Sequence, residues 1–173
     1  DEEVPTGVFG ELLSRGPYTI DGYYMAEETN RTSFTEDGFY RTGDKAMWTG
    51  KGHLRMGGRI KEQINRAGEK IMPAEIEAYL CKHSDIKEAA VVGVPDETLG
   101  NRICAFILTE KGNALDVQAV HQFLKEIGVA SYKLPDQVEI IEKWPLTSVG
   151  KVDKKVLVQM AQEKRGDYRD GIQ

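Results

Sequence analysis

The sequence predicts an α+β chain in two parts: a β-rich first part, then a small domain with a central sheet flanked by helices. Three observations predict it. Short strand-like runs punctuated by glycine fill residues 10–56. From Pro73 onward, helical stripes alternate with apolar runs. Between them lies a charge-dense stretch, residues 57–71, framed by Gly57, Gly58 and Gly68. Its only large apolar residues are Ile60, Ile64 and Ile71, too few for a core strand, and its glycines do not suit a solvated helix. It reads as a bend, a short strand and a second bend. Either it holds Arg59, Lys61 and Lys70 toward an anionic ligand or a moving junction, or it is a solvated hairpin between two domains.

Taken in order, residues 11–14 and 18–20 are strand candidates separated by Gly16-Pro17, and 27–34 is weakly helical. Residues 39–48 and 53–56 form a hairpin across Gly50-Lys51-Gly52. These short strands have a weak apolar pattern and need a partner surface, which is expected to be missing from the chain. Pro73 suits the first turn of a helix, with Glu75 and Glu77 near its positive end and Ile76, Tyr79 and Leu80 as its stripe. That helix should stop near Ser84. Residues 86–94 form a buried strand stopped by Pro95-Asp96, and 102–109 a second. Residues 116–127 form a helix with Val117, Val120, Leu124 and Ile127 on one face and Gly128 past its end. A third strand at 137–141 and a helix at 154–164 complete the order β-α-β-β-α-β-α, and 165–173 is a frayed tail.

The 173 residues suit one domain, or a small domain with a piece of another. Their apolar and charged shares, 40% and 29%, are those of a soluble globular chain. No apolar run is long enough to span a bilayer and no signal peptide opens the chain. The net charge of −5, with no interleaved aromatics, argues against nucleic-acid binding through Lys143, Lys151, Lys154 and Lys155. Cys81 and Cys104, with no C-x-x-C, suggest reduced core thiols in a reducing cytosol, so a cytoplasmic location is expected. The start at Asp1, in a loop without Met, suggests a piece of a longer protein.

No self-contained catalytic constellation is visible. Gly150-Lys151 is followed by Val152, so there is no phosphate-binding P-loop. There is no G-x-S-x-G and no H-E-x-x-H, and Cys81 with His83 is too little for zinc. Three isolated groups remain. Asp44, in Tyr40-Arg41-Thr42-Gly43-Asp44, can accept hydrogen bonds from a vicinal diol or cap a turn. Arg59, after two glycines, can fork onto a phosphate or form a surface ion pair. Lys151, in Pro145-Leu146-Thr147-Ser148-Val149-Gly150-Lys151, can swing on small residues or be a solvated loop lysine.

Together these stretches resemble the adenylate-forming enzymes: acyl- and aryl-CoA synthetases, nonribosomal peptide adenylation domains and luciferases. Tyr-Arg-Thr-Gly-Asp at 40–44, Gly-Arg at 58–59 and Pro-Leu-Thr-x-x-Gly-Lys at 145–151 match that family's motifs in order and rough spacing. The run from Gln63 to Ile71, with Leu134-Pro135-Asp136 and Gly150 to Lys155, is most similar to the aryl-acid AMP ligases of siderophore pathways, which activate 2,3-dihydroxybenzoate or salicylate. The resemblance implies that Asp44 holds the ATP ribose, Arg59 assists at ribose and phosphates, and Lys61 is the hinge. It also implies that Lys151 is the mobile adenylation lysine and that Gly68 borders the pantetheine tunnel. It implies ATP and Mg2+ at the full-length site, an aromatic carboxylic acid as substrate and an aryl carrier protein bearing phosphopantetheine as partner. Residues 1–59 would then be the end of a large domain, with its acid pocket upstream, and 60–164 a mobile lid. Such a piece alone should be inactive, and exposed edges in 1–59 could pair two copies. An acyl-CoA ligase using free CoA and a non-enzymatic carrier-docking module are the alternatives.

Overall fold

Short strands that pair but carry few apolar side chains make a sheet without a core. In the computed structural model, which describes residues 2–109 and 115–170, this is the first of two compact units, Asp1–Lys61 and Glu62–Gln173. The division falls between Lys61 and Glu62, whereas the sequence expectation put it between 59 and 60. In the first unit β1 (Gly10–Ser14), β2 (Tyr40–Trp48) and β3 (Leu54–Arg59) form an antiparallel sheet in that order, with α1 (Glu27–Ser33) between β1 and β2 in the chain. Ala46 is its only buried apolar residue among those described. Tyr18, Tyr24, Met25 and Met56 lie exposed. The strand expected at 18–20 does not form: the Thr19 N–H donates to the Gly16 carbonyl at 3.0 Å and closes a turn.

The second unit begins with a surprise in the charged stretch. A 3₁₀ turn, Ile60–Glu62, leads into two strands rather than one, β4 (Ile64–Arg66) and β5 (Glu69–Ile71). Ala67 and Gly68, with φ of 51° and 89°, supply the paired positive dihedrals that a two-residue hairpin turn demands. Ile64 and Ile71 are buried while Ile60 is exposed, so the hairpin's inner face is core and only its outer face is wet. Gly93 makes room for it: a Cβ there would stand 3.2 Å from the Ile64 side chain.

α2 (Pro73–Leu80) follows, ending earlier than expected because Lys82 and His83 donate back three residues and tighten the chain into turns. Next come β6 (Ile86–Asp96) and β7 (Gly100–Thr109), paired antiparallel, then α3 (Val117–Glu126) and β8 (Gln137–Ile140), parallel to β7. The sheet order is β6-β7-β8. Pro95 does not stop β6, because β6 is an edge strand and a missing N–H there breaks no ladder. α4 (Lys154–Asp170) continues past 164, with no proline to halt it. Residues 171–173 of the expected tail lie outside the described residues.

Both faces of the three-stranded sheet are covered, which is why β6 and β7 read as near-continuous apolar runs. Val91, Ile103, Ala105 and Ile107 point to one face, against Ile64, Ile71, α2 and α3. Ala90, Val92, Val94, Cys104 and Phe106 point to the other, against Leu157 and Ala161 of α4. Cys104 is buried and its thiol is pushed up to about 12, chiefly by that burial. Cys81, by contrast, is exposed just past the end of α2 and not a core thiol as expected. On α3, Asp116 caps the helix through the Ala119 N–H at 2.7 Å, and Val120 and Leu124 are buried, but Ile127 is exposed.

Phe106→Ala should therefore destabilise the second unit by about 3–5 kcal/mol, and Val149→Ala, at a position 76% exposed, by less than about 0.5 kcal/mol. Urea unfolding of both variants checks this.

Candidate functional site

In the first unit the register places Asp44 directly opposite Arg59 across β2 and β3. The Arg59 guanidinium donates to Asp44 Oδ1 at 3.1 Å. Asp44 is held from behind as well: its N–H donates to Thr42 Oγ1 at 3.0 Å, and the Thr42 hydroxyl donates to the Leu12 carbonyl at 2.8 Å. Asp44 thus forms an ion pair rather than capping a turn. Both side chains remain partly exposed, so the pair itself contributes at most about 1 kcal/mol. What it leaves open is chemically more useful. Asp44 Oδ2 and the remaining guanidinium N–H groups have no partner among the described residues, which offers an acceptor beside several donors. Nearby in sequence, the Tyr40 and Tyr23 hydroxyls lie 3.0 Å apart, and that hydrogen bond chiefly raises the Tyr40 phenol above the usual tyrosine range. Nothing in the sequence signalled this contact.

Lys151 stands on the second unit, in a loop that is stiffer than its composition suggests. Leu146 and Val152 form a bridge, and the Thr147 N–H donates to the Lys151 carbonyl at 2.7 Å. The Gly150 N–H donates to the Thr147 carbonyl at 2.9 Å, and the Lys151 N–H to Thr147 Oγ1 at 3.2 Å. The backbone is therefore pinned while the side chain is exposed. No hydrogen bond or ion pair holds the Lys151 ammonium among the described residues. Lys61 lies in the 3₁₀ turn, the last residue of the first unit. Gly68 is the exposed tip of the β4–β5 hairpin, which is tied down where Ala67 donates to the Leu99 carbonyl at 2.8 Å and Asn101 Nδ2 to the Asn65 carbonyl at 3.0 Å. Lys70 is exposed on β5, in the other unit from Arg59 and Lys61.

Four ion pairs of the second unit, made by three basic residues, escaped the sequence reading. Arg66 grips Asp136 bidentately, at 3.2 and 2.6 Å, and Asp136 Oδ2 also accepts the Ile103 N–H at 2.8 Å. Lys133 donates to both oxygens of Glu75, at 2.7 and 2.8 Å. Lys154 sits between Glu62 and Glu77, at 2.7 and 2.9 Å, and Glu77 also accepts the Val91 N–H at 2.8 Å. Burial opposes the charge of Lys154, but Glu77 and Glu62 overcome it and hold its ammonium above the usual lysine range. The same balance, with Glu75, raises Lys133. Lys154 is therefore committed and not available to a polyanion. The one signal in the sequence was a lysine at the first turn of a helix, where the dipole disfavours it. Among the described residues no three His, Cys, Asp or Glu side chains come together as a metal site, and no step is assigned to Mg2+.

Residues 75–151 match the AMP-binding enzyme C-terminal domain family. This stretch is an AMP-binding C-terminal domain. The chain is 51% identical over 166 residues to the 2,3-dihydroxybenzoate-AMP ligase of Bacillus subtilis, covering 95% of this chain and 30% of that protein. It is 44% identical over 156 residues to enterobactin synthase component E of Escherichia coli, covering 90% and 29%. Among solved structures, ATP-bound MatB from Rhodopseudomonas palustris superposes with a TM-score of 0.83 at 30% identity, over 92% of this chain and 31% of that one. The chain spans under a third of the length of these relatives. The AMP-binding C-terminal domain thus holds Lys151 at the end of its matched range, and Asp44 and Arg59 precede it.

Because Lys154 and Lys133 have raised pKa values when folded, their contribution to stability is complete below the ordinary lysine value of 10.5 and is lost as pH rises through and beyond it. Unfolding free energies measured by urea from pH 8 to above 10.5 should fall at the alkaline end, and Lys154→Met should make that fall shallower. An unchanged alkaline slope in Lys154→Met contradicts the assignment.

Proposed function

We propose that this chain is the C-terminal part of an ATP-dependent aryl-acid AMP ligase, acting on 2,3-dihydroxybenzoate or salicylate in siderophore biosynthesis. The full-length enzyme would form an aryl-adenylate and pass the aryl group to a phosphopantetheinyl carrier. The observation that carries this reading is Lys151: an unpaired ammonium on a pinned loop, at the end of the match to an AMP-binding C-terminal domain.

The geometry of each group supports a role in that chemistry. Asp44 accepts from the ribose hydroxyls through its open oxygen, while Arg59 holds the other oxygen and aims its remaining donors at ribose or phosphate. In the first half-reaction a carboxylate oxygen of the acid attacks the α-phosphorus of ATP, the bond to the β-phosphate oxygen breaks, and pyrophosphate leaves. Negative charge builds at that phosphorus and on the leaving group, and Lys151 meets it with a cation that carries no other partner and need give none up. In the second half-reaction a thiolate sulfur attacks the acyl carbon and AMP leaves. Turning about Lys61 would exchange Lys151 for the Gly68 hairpin, whose tip has no side chain to obstruct a pantetheine arm. The exposed apolar residues of the first unit would be covered by the rest of the large domain. Their edges also offer a route to pairing between copies of the isolated chain. No helix among the described residues is long and apolar enough to cross a membrane, in keeping with a cytoplasmic enzyme.

A second reading, with free CoA as acceptor, is favoured by one relative, a salicylyl-CoA synthase / salicylate adenylyltransferase from Streptomyces sp, 43% identical over 95% of this chain. Thioester formation with CoA and with a carrier protein, compared in one enzyme, separates the two.

In the full-length enzyme Lys151→Ala should lower adenylation by about two to three powers of ten. Its melting temperature should be unchanged, because the ammonium holds nothing. Aryl-acid-dependent ATP–pyrophosphate exchange measures the first effect, and wild-type exchange in the variant refutes the role. The present chain alone should show no exchange above background.

A further inference from the structure

Lys154 and Lys151 stand three residues apart yet have opposite fates: one is unpaired, the other locked between two carboxylates. The lock joins elements that are distant in the chain. Glu62 ends the 3₁₀ turn that contains Lys61. Glu77 lies on α2 and is itself fastened to β6 through the Val91 N–H. Lys154 begins α4, directly after Asp153, whose carboxylate caps that helix at the Lys155 N–H, 3.0 Å away. Asp153 in turn donates its own N–H to the Pro145 carbonyl at 2.8 Å, at the base of the Lys151 loop. An unbroken path of hydrogen bonds and helix thus runs from the hinge turn to the loop. Placing an ammonium at the positive end of α4 is locally unfavourable. Such a violation, compensated by two carboxylates instead of being avoided, marks a position chosen for something other than helix stability.

We propose that Lys154 is a positioning residue. With Glu62 and Glu77 it clasps the residue just past Lys61 to the core of the small domain, so that the domain turns as one body from Glu62 onward and Lys151 is delivered in a fixed orientation. The proposal rests on the reading of Lys61 as hinge and Lys151 as adenylation lysine. Without the clasp the turn ends at a loose Glu62, and rotation at Lys61 no longer specifies where Lys151 arrives. Adenylation needs that ammonium at one place, whereas thiol attack does not use it. The loss should therefore be unequal between the two half-reactions.

The test uses the full-length protein with Lys154→Met, Lys154→Arg and Glu62→Gln. One readout needs no activity: the rate at which trypsin cuts the folded protein after Lys61, relative to the same bond in the unfolded variant, followed by mass spectrometry of the fragment that begins at residue 62. Lys154→Met and Glu62→Gln should each speed that cut by about tenfold, since cleavage tracks local opening, and Lys154→Arg should stay near wild type. The second readout is the rate of adenylation against that of thioester formation from preformed aryl-adenylate. Lys154→Met should lower the first by about tenfold with little change in the second or in the KM for ATP, and Lys154→Arg should restore it. Unaltered cleavage after Lys61, or equal losses in both half-reactions with a lowered melting temperature, would overturn the clasp and leave an ordinary stabilising ion pair. If Lys154→Met does not fold, Glu62→Gln and Lys154→Arg decide by the same readouts. If wild-type enzyme forms no aryl-adenylate, the functional reading fails while the cleavage assay still judges the clasp.

Discussion

Burial of both faces of the β6–β7 pair is the constraint from which the rest of the small unit follows. A two-sided apolar sheet must find two coverings. α2, α3 and the β4–β5 hairpin supply one, and α4 supplies the other. Those coverings also place the candidate site residues. The hairpin that brings Ile64 and Ile71 onto the sheet presents Gly68 at its outer tip. The helix that lays Leu157 and Ala161 on the opposite face has the Lys151 loop at its start. Site and core are built from the same elements, so the site needs no separate scaffold.

The two lysines at that start show how electrostatics divides labour at close range. An ammonium that is to meet transient negative charge must have no standing commitment, or it would have to break one each cycle. Lys151 meets that condition because its loop is held by backbone groups and the Thr147 hydroxyl, and not by its ammonium. Lys154 is the converse, a charge partly removed from solvent and stabilised by two carboxylates, with an N–H donor on one of them. Stiff backbone with a free side chain at one position, and a bound side chain at the other, is a coherent way to aim a cation.

Much of this was legible in the sequence, and the failures have identifiable causes. The apolar runs of β6 and β7 and the stripes of α2 and α3 announced themselves because burial writes a periodicity into sequence. Asp44, Arg59 and Lys151 were legible through short motifs, and the structure shows Asp44 and Arg59 meeting as cross-strand neighbours. The β4–β5 hairpin was read as one strand because its turn uses Ala67 at positive φ, where glycine or asparagine is the usual sign. The strand at 18–20 failed because apolar content alone does not create a neighbour to pair with. The Arg66–Asp136, Lys133–Glu75 and Lys154–Glu62 pairs span 58 to 92 residues of chain. No local pattern encodes partners that far apart.

In the proposed cycle a small domain turning at Lys61 carries Lys151 between two working positions. Distance distributions between spin labels test it most directly. In the full-length enzyme, with Cys81→Ser and other exposed thiols removed, labels at Lys51→Cys and Glu126→Cys report one from each unit. Two discrete distances should appear, with one favoured by ATP and an unreactive acid analogue and the other by an aryl-adenylate mimic with the thiol acceptor. A single distance, the same in every ligand state, would contradict the account.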